Sequence, residues 1–219
     1  ETLRLGSLDQ FPFLERPDSR LVNDGYKLLF ELQGVDEKRH LTQVGRLLAK
    51  VPVDPKLARI IIEAHSENAL REILIIVSGL SIQDPRERPS DKMQASDQKH
   101  ALYRHEESDF QSWVTLWDSF EVQRQELTGN QLKKYCQKQF LSYMRMREWR
   151  DLHRQLHLLM KELNFNENQE PAGYDQVHRS LLSGLLGGIA MKDEQKTYRG
   201  GRNRILNLFP GSALYKKPP

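Results

Sequence analysis

His153 and His157 lie four residues apart in a stretch patterned as helix, a spacing that can offer two imidazoles to one metal ion. A zinc-hydrolase helix needs a glutamate directly after the first histidine as general base. Here that residue is Arg154, whose charge would repel the metal. The histidines are therefore read as surface or interhelix residues, and no metal site is expected. Cys136 falls on the inward side of its helix with Leu132 and Phe140; nothing close in sequence would stabilise a thiolate, so it reads as a buried, inert thiol. The adjacent carboxylates Asp36-Glu37 and Glu106-Glu107 are explained by helix or loop ends. The glycines between Gly184 and Gly188 lack the following Lys-Ser/Thr of a phosphate-cradling loop and read as part of a glycine-loosened strand, Gly184 to Met191. No catalytic residue is assigned.

Cations and aromatics offer a different chemistry, the gripping of a polyanion. Residues 1–52 are balanced at eight basic and eight acidic side chains, and residues 53–170 carry seventeen against nineteen. Residues 171–219 carry eight against three, and from Gln195 onward there are six basic residues and no acidic one. There Lys196, Tyr198, Arg199 and Arg202 fall on predicted strands and a hairpin turn, where rings can stack on bases and cations can neutralise phosphates. A solubilising tail would have the same composition. A second cluster, Arg86, Arg88 and Lys92, occupies a loop stiffened by Pro85 and Pro89, for which ion pairing with Glu87 and Asp91 is the plainer explanation. Phe110, Trp113 and Trp117 could also stack bases, but at helical spacing they read as core.

The elements that must position these residues form three segments within 219 residues, 38% of them hydrophobic. In residues 1–52, a connector with Pro12 and Pro17 precedes a helix capped by Asp18 or Ser19. A polar turn from Asp36 to His40 and a second helix capped by Thr42 complete what reads as a small winged-helix unit. Residues 53–168 read as an all-helical bundle: helices over 56–66, 69–82, 91–103 and 108–124, then helical patterning from Thr128 to Leu163 with a break expected near Met144 to Arg147. Residues 169–219 open with a short helix from Tyr174. They continue as strands with a turn at Gly200-Gly201 and a further strand starting at Ala213, an incomplete oligonucleotide-binding (OB)-like barrel. The fold class is thus mainly α with a small β part. No apolar run exceeds the five residues Ile73 to Val77, so no membrane partner is expected. The single cysteine fits a reducing compartment, here the cytoplasm. The absence of an initiator Met and the abrupt ending at Pro219 suggest a piece of a longer protein.

Several stretches taken in order are similar to the C-terminal region of DEAH-box RNA helicases of the HrpA type. They are Phe11-Pro12-Phe13-Leu14-Glu15, Leu41-Thr42-Gln43-Val44-Gly45-Arg46-Leu47-Leu48-Ala49, Pro52-Val53-Asp54-Pro55-Lys56-Leu57-Ala58-Arg59 and Leu80-Ser81-Ile82-Gln83-Asp84-Pro85-Arg86-Glu87-Arg88-Pro89. Ser108-Asp109-Phe110 with Leu116-Trp117, and Tyr135-Cys136 with Phe140-Leu141, complete the series. The resemblance implies a winged helix, a ratchet bundle and the start of an OB-fold. It places ATP and magnesium on two upstream RecA-like domains, so this chain has no cofactor of its own and should lack ATPase activity. It further implies single-stranded RNA and those RecA-like domains as partners, and it matches the 82–92 loop to the ratchet loop that faces RNA. The expected role is therefore an accessory one, gripping and guiding RNA in a parent ATP-dependent helicase. A protein-interaction module without direct RNA binding is the rival reading, favoured by the slightly acidic bundle.

Overall fold

The computed structural model of the protein describes residues 11–193 and 197–215. Helix α1 (Ser19–Glu31) starts where the Asp18 carboxylate accepts the Arg20 amide at 2.8 Å, the cap expected of that residue. The chain leaves α1 through Gln33, in the left-handed region at φ 60°, and closes the Asp36–His40 turn with an antiparallel bridge between Val35 and Leu41. Thr42 caps α2 (Gln43–Leu48) by accepting the Gly45 amide, and its hydroxyl also donates to the Gln33 carbonyl at 2.6 Å. Leu32, Leu48 and Val51 are buried in the same core as the bundle that follows.

Asp54-Pro55 opens α3 (Pro55–Ser66), since proline tolerates the first helical turn and the aspartate caps it. A short turn through Asn68 (φ 55°) reverses the chain into α4 (Leu70–Leu80). All of Ile73 to Val77 are buried, which makes α4 the central rod, each such side chain contributing about 1.5–3 kcal/mol of transfer free energy. Around it pack α3, α6 (Asp109–Glu126), α8 (Tyr143–Glu162) and α9 (Tyr174–Leu185). Trp149 of α8 sits at the centre, its indole N–H donating to the Ile75 carbonyl and the Ser78 hydroxyl at 3.0 Å each. Trp113 and Trp117 of α6 meet it edge-on with ring centres 5.2 and 5.1 Å away, so the tryptophan stripe is core, as its spacing predicts. Gly79 leaves the room: a Cβ there would lie 2.6 Å from the Trp113 ring.

The break in the long helical stretch falls earlier than expected, at residues 139–142 between α7 (Gly129–Lys138) and α8 rather than at Met144 to Arg147. Its cause is long-range. Phe140 turns left-handed at φ 54°, and the freed backbone pairs with the loop after α4. The Glu87 amide donates to the Phe140 carbonyl, the Ser142 amide donates to the Pro85 carbonyl, and Arg86 bridges Leu141. No glycine or proline marks the site. Between these elements lies the short α5 (Met93–His100), which ends in a tight turn over Ala101–Tyr103.

The stretch read as a strand from Gly184 to Met191 is corrected by the structure. Gly184 belongs to α9, and its missing Cβ lets that helix press onto α3, since a methyl group there would sit 2.2 Å from the Lys56 carbonyl oxygen. The polar 164–173 connector is also tied down: Asn168 is buried, accepts the Arg71 amide and donates to Glu72. Strand structure begins only at β1 (Ala190–Lys192), followed by β2 (Tyr198–Gly200) and β3 (Ile205–Leu206) in one antiparallel sheet of order β1-β2-β3. The β2–β3 hairpin turns where Gly200-Gly201 predicted, but the left-handed residues are Arg202 and Asn203. Ala213–Tyr215 forms a 3-10 turn, not a further strand. Among the described residues the β part is this small sheet.

Candidate functional site

The Pro85–Glu87 pairing with Phe140 and Ser142 fixes one wall of a cleft of about 690 Å³. Arg86 and Arg88 project from this wall, His100 and Arg104 come from the end of α5 and the turn after it, and the opposite wall is the segment from Phe209 to Ser212. That segment is anchored at α6. The Ala213 amide donates to the Asp109 carboxylate at 2.8 Å, in the first turn of the helix, and Arg104 donates to the Gly211 carbonyl at 3.4 Å. Phe209 is 75% exposed, an aromatic ring left on the rim.

Both loop arginines are held as forks. Arg86 donates from Nε and Nη2 to the Asp84 carboxylate at 2.7–3.2 Å, and its guanidinium lies 4.9 Å above the Trp113 ring. Arg88 donates from Nε and Nη2 to Asp97 at 2.7 Å each, a bidentate pair. The partners expected from sequence, Glu87 and Asp91, are thus replaced by Asp84 and Asp97. The Arg88 hydrogen bond holds the Asp97 carboxyl below its ordinary range, with the charges of Arg88, His100 and Arg104 adding to it. Three arginines and three aspartates therefore line the cleft, which leaves it close to neutral. His100 is oriented by contact of its Nε2 with the Phe140 carbonyl at 3.0 Å.

Of the expected contact residues that are described, Arg86 and Arg88 line this cleft, while Lys92, Tyr198, Arg199 and Arg202 do not. Lys92 stands exposed at the start of α5. Tyr198 is 8% exposed, with Lys192 and Leu206 as cross-strand neighbours. Arg199 lies on the opposite face of the sheet and pairs with Asp193 at 2.8 Å, and Arg202 rides the hairpin turn. Lys196 lies outside the described residues. Sequence reasoning missed His100, Arg104 and Phe209. A Phe-Pro-Gly turn was the available signal for an exposed ring at Phe209, but nothing in sequence couples it to Arg104.

The residues examined for other chemistry are inert by placement. Burial pushes the Cys136 thiol up to about 11. Burial pushes His153 down to about 4, its ring tilted against Trp117 at 4.5 Å, while His157 Nδ1 pairs with Glu167 at 2.5 Å. The described residues contain no group of three or more metal-ligating side chains, and no helix long and apolar enough to cross a membrane.

Residues 54–142 match the family model of the helicase-associated (HA2), ratchet-like domain. Along 99% of its length the chain is 48% identical to the ATP-dependent RNA helicase HrpA of Escherichia coli (strain K12). It is 46% identical, over the same share, to the HrpA homologue of Haemophilus influenzae, and it spans 17% of each of those proteins. The human probable ATP-dependent RNA helicase DHX35 is 25% identical over the whole chain, which covers 31% of it. Residues 54–142 are thus similar to a helicase-associated, ratchet-like domain, and the chain as a whole is similar to a stretch of HrpA-type proteins that makes up about a sixth of their length.

Proposed function

We propose that this segment helps an ATP-dependent RNA helicase hold and guide single-stranded RNA, through the cleft between the 84–88 loop and the 209–212 segment. One observation carries the reading: Arg86, Arg88 and Arg104 converge with the exposed Phe209 ring, from stretches more than a hundred residues apart in the chain. Guanidinium groups neutralise phosphates and an exposed ring stacks on any base, the combination that single-strand grip uses. On this reading the α1–α2 unit acts as a winged helix and the three-stranded sheet as the start of an OB-like barrel. Both would sit beside upstream RecA-like domains that hold ATP and magnesium, in the cytoplasm.

A protein-docking role is the second reading, supported by the neutral cleft and by Leu21 and Phe30 exposed on α1, where no helix covers them among the described residues. Anisotropy of a labelled single-stranded RNA 12-mer, titrated across salt, separates the two. The expected result is binding that weakens steeply with salt. It should fall at least tenfold in Arg88→Glu/Arg104→Glu and stay within about twofold in Arg199→Glu/Arg202→Glu. The reverse ranking moves the grip to the hairpin. Absence of binding at low salt favours docking.

A further inference from the structure

Two of the three arginines of the cleft, Arg86 and Arg88, already hold a carboxylate. On each of Arg86 and Arg88, the edge made by Nε and Nη2 is filled by a carboxylate in the two-bond geometry that a phosphodiester would take. Both pairs face solvent: the Arg88 and Asp97 side chains are 57% and 50% exposed, and Arg86 and Asp84 are 32% and 48% exposed, so water and a ligand can reach each contact. Asp97 keeps its charge because Arg88 hydrogen-bonds it and His100 and Arg104 lie in its field. An exposed pair of this kind contributes little net stability, so an incoming anion can displace it.

We infer that Asp97, and Asp84 beside it, act as built-in phosphate substitutes that limit how tightly the cleft holds an RNA backbone. This rests on the RNA reading above and deepens it. A phosphate arriving at Arg88 exchanges with the Asp97 carboxylate, and the carboxylate returns when the phosphate moves on. One bidentate oxyanion replaces another, so neither state leaves the guanidinium unpaired and the exchange is nearly balanced in free energy. A strand that must be passed along a channel needs contacts of this sort, because a grip that is lost only at the full cost of an unpaired charge would stall it. The near-neutral lining of the cleft follows from the same design.

The consequence is counterintuitive: removing an acidic residue should strengthen RNA binding, locally and by a salt-dependent mechanism. The test is anisotropy with a single-stranded RNA 12-mer between about 50 and 200 mM salt, using the whole chain. The proteins compared are the wild type, Asp97→Asn, Asp84→Asn and Asp151→Asn. Asp151, exposed on α8 and outside the cleft lining, controls for the plain change in net charge. The expected result is affinity about three- to tenfold higher for Asp97→Asn, and a slope of log affinity against log salt steeper by about 0.7, the value for one more neutralised phosphate on a single strand. Asp84→Asn should move the same way by less, since Arg86 keeps its contact with Trp113. If wild type binds but Asp97→Asn gains no more than Asp151→Asn, the substitution idea is overturned and the RNA reading stands. If Asp97→Asn binds more weakly, the aspartate orients the arginine instead, which also overturns it. If neither wild type nor Asp97→Asn binds at low salt, the RNA reading itself fails and this inference with it.

Discussion

The helical bundle and the three-stranded sheet treat apolar side chains in opposite ways. On α4 every residue from Ile73 to Val77 is enclosed by neighbouring helices, whereas Met191 and Ile205, on either side of Arg199 across the sheet, are 74% and 70% exposed. One face of the sheet carries the buried Tyr198, and the other carries those two apolar residues around an ion-paired arginine. The bundle thus has a closed core that sets its own stability. The sheet, short in every strand, takes its order from local hydrogen bonds and from the attachment of its trailing segment to α6 through Asp109 and Arg104. A site placed between the two, as the cleft is, combines a rigid wall with a wall held by a few polar contacts.

Breaking the bundle at its centre should give the largest effect. Trp149→Ala removes a fully buried indole, the edge-on contacts with Trp113 and Trp117 and the hydrogen bond to the Ile75 carbonyl. A loss of about 3–5 kcal/mol is expected in urea unfolding followed by tryptophan-independent circular dichroism, close to the whole margin of a domain this size. A loss below 1 kcal/mol would mean that α8 is not the keystone described here.

Acid should weaken the same core through His153. Burial lowers its folded pKa to about 4, against 6.5 in the unfolded chain, so the unfolded state takes up the proton first as pH falls. Stability tied to this histidine is complete above pH 6.5 and drains away between there and about 4, by something on the order of 3 kcal/mol. Melting temperature should therefore drop from pH 7 to pH 5 in the wild type and drop less in His153→Leu. Equal slopes would show that the side chain meets water before the bundle unfolds.

How far the sequence foretold this arrangement varies with the range of the forces involved. Helices α3, α4 and α6 were legible because their signals are local, as in Phe110, Trp113 and Trp117 at helical spacing. Phe140 gave no warning, since its left-handed turn is imposed by pairing with Pro85 and Glu87 more than fifty residues earlier. Gly184 carried a signal of the wrong kind, because glycine serves a loosened strand and a tight helix crossing equally well. For the cleft, the 84–92 loop was recognisable by its prolines and cations, while the ion-pair partners of its arginines were not. Asp97 lies nine residues from Arg88, beyond any helical spacing that would announce the pair. The approach of Gly211 to Arg104 spans 107 residues and is visible only in the folded chain.

The smallest expected effect is the one that most directly tests the contrast between the two regions. Met191→Ser and Ile205→Ser each place a hydroxyl where a large apolar side chain now meets solvent, on the face of the sheet opposite Tyr198. Since little apolar area is withdrawn from water at either position in this chain, unfolding free energy should change by no more than about 0.5 kcal/mol, against several for Trp149→Ala. The same substitutions should lower self-association in sedimentation experiments, because an open apolar face beside short strand edges invites pairing between molecules. A destabilisation above about 1.5 kcal/mol at Ile205 would show that this face is covered in solution, and the sheet would then have to be counted with the bundle as a closed, self-supporting unit.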